Sequence, residues 1–113
     1  MIKSVRSMAL KIEWLEDAER DLDVEIDYVY REFGIIAAQK AYRRISDDVN
    51  LLATFPLIGS EYEEVTYQGH EIRKLPIHQV TVFYSPQSDK VIILAIWNNS
   101  QDPGDMLSHL MNL

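Results

Sequence analysis

The sequence contains no cysteine, which excludes disulfide bonds, thiolate catalysis and zinc sites built on cysteine. This absence is typical of a reducing compartment, and no hydrophobic run reaches the roughly 20 residues that cross a bilayer, so we expect a cytoplasmic protein. With 47% hydrophobic and 26% charged residues, the composition predicts one globular domain over residues 1–113. Residues 1–7 show no pattern of secondary structure and are expected to form a flexible extension. Met1 and Met8 both remain open as the true start.

Positive charge is scarce, since 11 lysine and arginine residues stand against 18 acidic ones and the net charge is −7. Proteins that bind nucleic acid normally carry a basic stripe, because neutralising phosphates supplies most of their affinity. Here the basic clusters are limited to Lys40, Arg43 and Arg44 and to the pair Arg73–Lys74. This charge balance disfavours nucleic-acid binding and favours a basic protein partner.

The N-terminal half predicts one strand and two helices. A loose alternation over residues 8–15 favours a strand. From Glu16 onward, apolar residues recur at helical spacing until Gly34, which suits a helix end; they are Ala18, Leu22, Ile26, Val29 and Phe33. A second helical pattern stops at Phe55-Pro56, because proline cannot continue a helix. Residues 56–64 are predicted to form a loop.

The C-terminal half changes to the two-residue period of β-strands. Three strands are predicted over residues 70–77, 79–86 and 90–98, and the short turns between them require antiparallel neighbours. A final short helix is expected after Asp102, a good N-cap, with Pro103 in its first turn. The order β-α-α-β-β-β-α predicts an α+β fold in which an antiparallel sheet packs against the N-terminal helical hairpin. The other sheet face has only the tail to cover it, so it is a candidate partner surface.

The order of these motifs resembles that of the RelE/ParE toxin superfamily of bacterial type II toxin–antitoxin modules. The resemblance rests on IEWLEDAERDLDVEIDYVYREFG, on a second helix ending in LLATFPLIG, and on HEIRKLPIHQVTVFYS followed by VIILAIWNNSQDP. It covers residues 8–104 and implies a small toxin that uses no metal or cofactor. It also implies a cognate antitoxin whose C-terminal segment covers the toxin's sheet and groove as a helix and an added strand. RelE-like members are ribosome-dependent mRNA endonucleases, whereas ParE-like members poison DNA gyrase.

The turn after the last strand bears on which of these activities applies. RelE-like nucleases typically supply basic or imidazole side chains there, because RNA cleavage needs proton transfer and cations that stabilise the phosphate. Here the turn reads Asn98, Asn99, Ser100 and Gln101, and amides neither titrate near neutrality nor carry charge. The sequence therefore favours a ParE-like toxin that acts by binding a protein target such as gyrase. The alternatives are a RelE-like nuclease and a detoxified relative that only binds its antitoxin.

Arg73 matches the basic residue that the family carries on this strand. If His78 and Gln79 form a two-residue turn, Arg73 lies opposite Tyr84, where the pair would be placed to bind a phosphate or an antitoxin carboxylate. In a nuclease these two residues would be the catalytic candidates. The alternative is a structural arginine that stacks on the tyrosine and pairs with a surface acid. If Arg73 belongs to a binding surface, its replacement by alanine should weaken binding and leave the fold intact.

The remaining candidates lie on the last strand and the second helix. Trp97 is expected to share a sheet face with Val91, Ile93 and Ala95 in the core, or else to anchor an antitoxin side chain. Arg43 and Arg44 either contact a partner or form an ordinary charged helix face. The residues predicted to bind the antitoxin or the target are Arg73, Tyr84, Trp97, Asn98, Asn99, Arg43 and Arg44.

Other polar residues receive no functional role from the sequence. His70, His78 and His109 lack the spacing of metal ligands, so no metal site is predicted. Lys74 should point away from Arg73 as a solvated charge. The acids at positions 61, 63 and 64 are interpreted as a solvated run within the loop.

Overall fold

A computed structural model describes residues 9–113 of the chain. The elements in chain order are β1 Lys11–Trp14, α1 Glu16–Phe33, α2 Ile35–Leu51, β2 Ser60–Tyr67, β3 His70–Ile77, β4 Val80–Pro86, β5 Lys90–Asn98 and α3 Pro103–Met111. The predicted extension over residues 1–7, and the choice between Met1 and Met8, lie outside the described residues. Within residues 9–113, no helix is long and apolar enough to cross a membrane.

The two long helices form the predicted hairpin, and a single residue joins them. α1 begins with Glu16, Asp17 and Glu19 in its first turn, where carboxylates interact favourably with the helix dipole. Gly34 ends it with a φ of 92°, a conformation that only glycine adopts without strain. Its N–H donates to the carbonyl of Tyr30 at 2.9 Å, and α2 starts at the next residue.

The strands form one five-stranded sheet in the order β1-β5-β4-β3-β2. The α+β class and the helical hairpin on the sheet are confirmed, but two details of the prediction are wrong. Residues 60–67 form the edge strand β2 and are not part of a loop: the Pro and Gly loop signals end at Gly59. β1 pairs parallel with β5, so the sheet is mixed. Because β1 is followed by two helices and not by a tight turn, the chain connection does not require β1 to run antiparallel to its neighbour.

The β3–β4 hairpin has the predicted register. Ile77 pairs with Val80 across the two-residue turn, and Arg73 lies directly opposite Tyr84. His78 adopts a φ of 56°, in the left-handed region that a tight hairpin turn requires.

A β-bulge in β5 overturns the predicted position of Trp97. Tyr84 pairs with Ile93 while Phe83 pairs with Ala95, so Leu94 is an extra residue in β5. One extra residue reverses the alternation of faces beyond it. Val91 and Ile93 therefore face the helical hairpin, whereas Ala95 and Trp97 face the opposite side of the sheet.

Both faces of the sheet are covered. Against the hairpin lies a core that includes Leu22, Val49 and Tyr84. On the other face, α3 contributes Leu110 to a cluster with Phe83 and Leu94, and that cluster is almost completely buried. α3 is the tail that was expected to cover this face, and because the cluster beneath it is buried, the inference that the face is an open partner surface is wrong. α3 has the predicted start, since the Asp102 carboxylate accepts a hydrogen bond from Gly104 N at 2.8 Å and Pro103 occupies the first turn.

Candidate functional site

Arg73 is committed to the loop that precedes β2. Its Nη1 donates to the carbonyl oxygens of Gly59 at 2.7 Å and Leu57 at 3.3 Å. Its Nη2 lies 3.4 Å from a carboxylate oxygen of Glu61, and its Nε lies 3.3 Å from one of Glu71. The side chain is only 15% exposed. Nη1 and Nη2 therefore have partners within the chain, while Nε lies beside Glu71 without forming a hydrogen bond.

Tyr84 binds the same loop from the neighbouring strand. The ring is completely buried, and the hydroxyl accepts a hydrogen bond from Gly59 N at 2.9 Å. Burial raises the pKa of Tyr84, and the Gly59 N–H and the Arg73 charge offset this rise only in part. A buried, neutral phenol at this position is a structural acceptor, with no face open to a partner.

Arg73 and Tyr84 thus hold the two polar groups of one glycine. Gly59 itself is required by this arrangement, because a Cβ there would lie 2.6 Å from both the carbonyl oxygen of Lys74 and the Tyr84 hydroxyl. The pairing of Arg73 and Tyr84 is as predicted, and Arg73 lies beside two surface acids. The roles of the two residues in binding or catalysis stay predictions.

The polar turn after β5 is also held by internal hydrogen bonds. Asn98 Nδ2 donates to a carboxylate oxygen of Glu25 at 3.1 Å, which ties the end of β5 to α1. Asn98 Oδ1 accepts from both Ser100 N at 2.9 Å and Ser100 Oγ at 2.6 Å. Asn98 therefore acts as the cap of the turn.

Asn99 fixes the other side of this turn to the β3–β4 hairpin. Its Oδ1 accepts from Thr81 Oγ1 at 2.7 Å, and its Nδ2 donates to the His78 carbonyl at 3.2 Å. Its N–H donates to Gln79 O at 2.8 Å. The two amides thus fix the polar ending of β5 to α1 and to the β3–β4 hairpin.

A groove lies between α1, the end of β5 and α3, and we refer to it as the Trp97 groove. Its volume is about 460 Å³, and it is lined by Asp21, Val24, Glu25, Tyr28, Arg31, Ile96, Trp97, Asn98, Ser100, Gln101 and His109. Two predicted binding residues, Trp97 and Asn98, meet there. Arg73, Tyr84 and Asn99 do not line it.

Asp21 and His109 join the helices across this groove. Asp21 Oδ2 accepts from Ile96 N at 3.1 Å and lies 3.5 Å from His109 Nε2, the separation of an ion pair when the imidazole is protonated. Burial raises the pKa of the Asp21 carboxyl above its ordinary value; the Ile96 N–H and the His109 charge oppose this rise. The His109 ring stands 6.2 Å from the Trp97 ring, tilted by 30°.

Several residues of this groove were missed by the sequence reasoning. Asp21, Glu25 and Tyr28 recur at spacings of four and three, which places them on one face of α1, but the sequence analysis assigned no role to that face. His109 was assigned to no site because its partner lies 88 positions earlier in the sequence. Helical spacing shows which residues share a face, and only the packing shows what that face meets.

The other predicted basic residues lie apart from this groove. Arg43 lines a depression on the outer side of the helical hairpin, and Arg44 lines a different one beside His78. Lys74 points away from Arg73, as predicted, and its Nζ stands 5.9 Å from the centre of the Tyr62 ring. Within residues 9–113, no three carboxylate or imidazole side chains converge as metal ligands.

Comparisons with known proteins bear on the fold and the family. A model described as the ParE toxin of the type II toxin–antitoxin system parDE matches residues 12–103. A solved structure described as "Chromosomal ParDE TA system from P. aeruginosa" superposes with a TM-score of 0.67. The sequences are 23% identical, and the match covers 81% of this chain and 98% of that chain. The comparison with curated proteins found no match.

The helical hairpin on a mixed sheet is therefore a fold found among type II toxin–antitoxin proteins. The family model spans most of the sequence, and the chain belongs to the ParE toxin family. The resemblance noted from the sequence motifs is confirmed.

Proposed function

We propose that this chain is a growth-inhibiting toxin that acts by binding a protein target such as DNA gyrase and is neutralised by a cognate antitoxin. The observation that supports the proposal is that Arg73 and Tyr84, the two catalytic candidates of a nuclease, and the amides after β5 are all engaged in contacts within the chain. Arg73 and Tyr84 hold Gly59, and Asn98 and Asn99 hold the turn that follows β5. Binding to a protein needs none of these groups to be free.

The Trp97 groove is the proposed site for the antitoxin segment. Val24 is 65% exposed and Tyr28 is 45% exposed at its rim, so the groove offers apolar surface beside Trp97. Polar groups from Asn98 and Asp21 lie within the same groove. A pocket with an aromatic wall and a few placed polar groups fits a peptide anchor. The roles of Arg43 and Arg44 in target binding remain predictions.

One observation favours a RelE-like nuclease as a second candidate. His109 brings an imidazole into the same groove as Ser100 and Gln101, which supplies the titratable group that the turn itself lacks. The electrostatics oppose this reading, because the carboxylates of Asp21 and Glu25 line the groove and repel a phosphate. Arg31, its one arginine, is paired with Asp27 at 3.0 Å.

A supercoiling assay with the purified protein and DNA gyrase tests the proposal. We expect inhibition of supercoiling, and we expect the His109→Gln variant to inhibit as well as the wild type. In parallel, programmed ribosomes are given each protein, and the mRNA is examined for new 5′ ends. Unchanged supercoiling together with mRNA cleavage that His109→Gln abolishes would establish the nuclease instead. Unchanged supercoiling and intact mRNA would contradict both and leave the detoxified, antitoxin-binding relative.

A further inference from the structure

A second groove runs along the outer side of the helical hairpin, and we refer to it as the hairpin groove. It consists of two depressions of about 580 and 530 Å³ that share Tyr42 and Ser46 as walls. One depression extends toward the hairpin tip at Ile35, and the other extends toward Trp14 at the end of β1. Together they follow most of the length of α2, from Ile35 to Asn50, and this helix of 17 residues is about 25 Å long.

The tip half of the hairpin groove is apolar. Ile26 and Ala38 form its floor, while Ile35 is 55% exposed and Tyr42 is 52% exposed. Tyr30 and Phe33 continue this surface, since they follow Ile26 at spacings of four and three on α1 and are 52% and 69% exposed. Large apolar side chains grouped in this way mark an interaction surface better than scattered ones do.

The other half of the hairpin groove is acidic. Glu19 and Asp23 lie one turn apart on α1 and line the depression beside Trp14, and both are exposed. No cation is among the described residues that line this depression, whereas Asp47 and Arg43 both line the tip half. α1 as a whole has eight acidic and two basic residues, so the potential along this half is negative.

We propose that the hairpin groove is a docking site for a basic amphipathic helix of a partner protein. The occupant carries apolar side chains where it meets Ile35 and Tyr42, and lysine or arginine where it meets Glu19 and Asp23. A helix is the proposed form of the occupant, because the lining residues come mainly from α1 and α2 and a docked helix satisfies its own backbone groups. A helix of about 16 residues matches the length of the groove.

This surface is distinct from the one proposed for the antitoxin. Glu19, Asp23 and Ile26 lie on one side of α1, while Asp21, Glu25 and Tyr28 face the Trp97 groove on the other. The two grooves therefore have no lining residue in common. The inference does not depend on gyrase being the target.

The two tryptophans of the chain provide a direct test, because Trp14 lies in the hairpin groove and Trp97 in the other. The full chain is labelled with 5-fluorotryptophan, and its two ¹⁹F resonances are assigned with Trp14→Phe and Trp97→Phe. The probe is a synthetic capped helix of about 16 residues with leucine at helical spacing in one half and lysine at those positions in the other. The comparison peptide has glutamate in place of each lysine.

We expect the lysine peptide to shift the Trp14 resonance and to leave that of Trp97 in place. The glutamate peptide should shift neither. A shift of Trp97 alone, no shift with the lysine peptide, or equal shifts with both peptides would overturn the proposal.

Charge reversal separates specific docking from general attraction to an acidic protein. Glu19→Lys with Asp23→Lys should weaken binding of the lysine peptide by about tenfold or more. The matched control, Glu63→Lys with Glu64→Lys on exposed β2 positions, changes the net charge equally and should weaken it less than about twofold. Equal losses would overturn the proposal. If the first variant does not fold by circular dichroism, Tyr42→Asp at the apolar half takes its place, with a loss of about tenfold expected.

Discussion

The Nη1 of Arg73 lies 2.7 Å from the carbonyl oxygen of Gly59, and the N–H of the same glycine donates to the hydroxyl of Tyr84 at 2.9 Å. Arg73 and Tyr84 face each other across β3 and β4. The glycine is thus held at both of its polar groups by a cross-strand pair. This contact anchors the exposed loop between α2 and β2, where Phe55, Leu57 and Ile58 are each more than half exposed.

Replacing Arg73 by alanine should lower the free energy of unfolding by about 2 kcal/mol, because hydrogen bonds from a charged donor to the carbonyls of Gly59 and Leu57 are lost. Urea unfolding at pH 7 measures this change. Arg43→Ala, at an exposed arginine of α2, is the control and should stay within about 0.5 kcal/mol of the wild type. Equal stabilities for the two variants would show that Arg73 is free for a partner, as a binding role requires.

Tyr84→Phe should cost about 1 kcal/mol, since the ring is retained while the buried N–H of Gly59 loses its acceptor. The matched control is Tyr42→Phe, which removes a hydroxyl from an exposed ring. Thermal and urea unfolding of both variants give the comparison. A Tyr84→Phe protein as stable as the control would mean that water replaces the hydroxyl and that the loop is held by Arg73 alone.

Gly59→Ala should be more damaging than Gly69→Ala, for a steric reason. At Gly59 the new methyl group would lie 2.6 Å from the Lys74 carbonyl, and overpacking against backbone costs about 3 kcal/mol. At Gly69 no atom lies within 4 Å and only the φ of 82° opposes a side chain, which costs about 1 kcal/mol. Urea midpoints rank the two variants. The reverse order would contradict the close packing around Gly59.

Local patterns in the sequence were sufficient for much of the fold. The first-turn acids and Gly34 correctly marked the ends of α1, and the His78-Gln79 turn correctly placed Arg73 opposite Tyr84. These features depend on neighbours in the chain. The β1–β5 pairing instead joins residues about 80 positions apart, and no local signal sets its direction.

The candidate site was predicted less well, because it depends on side chains meeting across elements. Because Leu94 is an extra residue in β5, Trp97 lies on the other face of the sheet from Ile93. A continuous apolar run contains no signal that would predict such a bulge. Arg73 was named as a candidate, but its carbonyl partners belong to Leu57 and Gly59. The sequence predicted a loop there and gave no sign that the loop packs against Arg73. The contact of Asp21 with His109 likewise arises only when α3 folds back over the sheet.

The raised pKa of Asp21 predicts how stability responds to pH. Because burial raises its folded pKa above the ordinary 3.8, the folded state holds this proton more tightly than the unfolded chain does. The protonated Asp21 carboxyl therefore contributes most to stability in acid, and this contribution is lost as pH rises through the pKa of the folded state. The amide of the Asp21→Asn variant has no such proton to lose, so this variant should gain stability relative to the wild type as pH rises through this pKa. Asp17 raises the pKa of Asp21 and His109 lowers it.

Urea unfolding of wild type and Asp21→Asn at half-unit steps from pH 4 to pH 8 measures this difference. Asp23→Asn, on an exposed side of the same helix, reports the general effect of removing one negative charge from α1. If the wild type gains stability over Asp21→Asn as pH rises, then the ionised carboxylate is favoured by its partners and burial is not the dominant influence.

Short induction of the chain alone in bacteria tests most directly whether this ParE-family chain acts by binding and does not cleave RNA. Growth and the 5′ ends of total mRNA are followed at the same times. We predict growth arrest while messages remain intact. Arrest accompanied by rapid new cleavage ends would contradict the account and direct attention to His109 in the Trp97 groove.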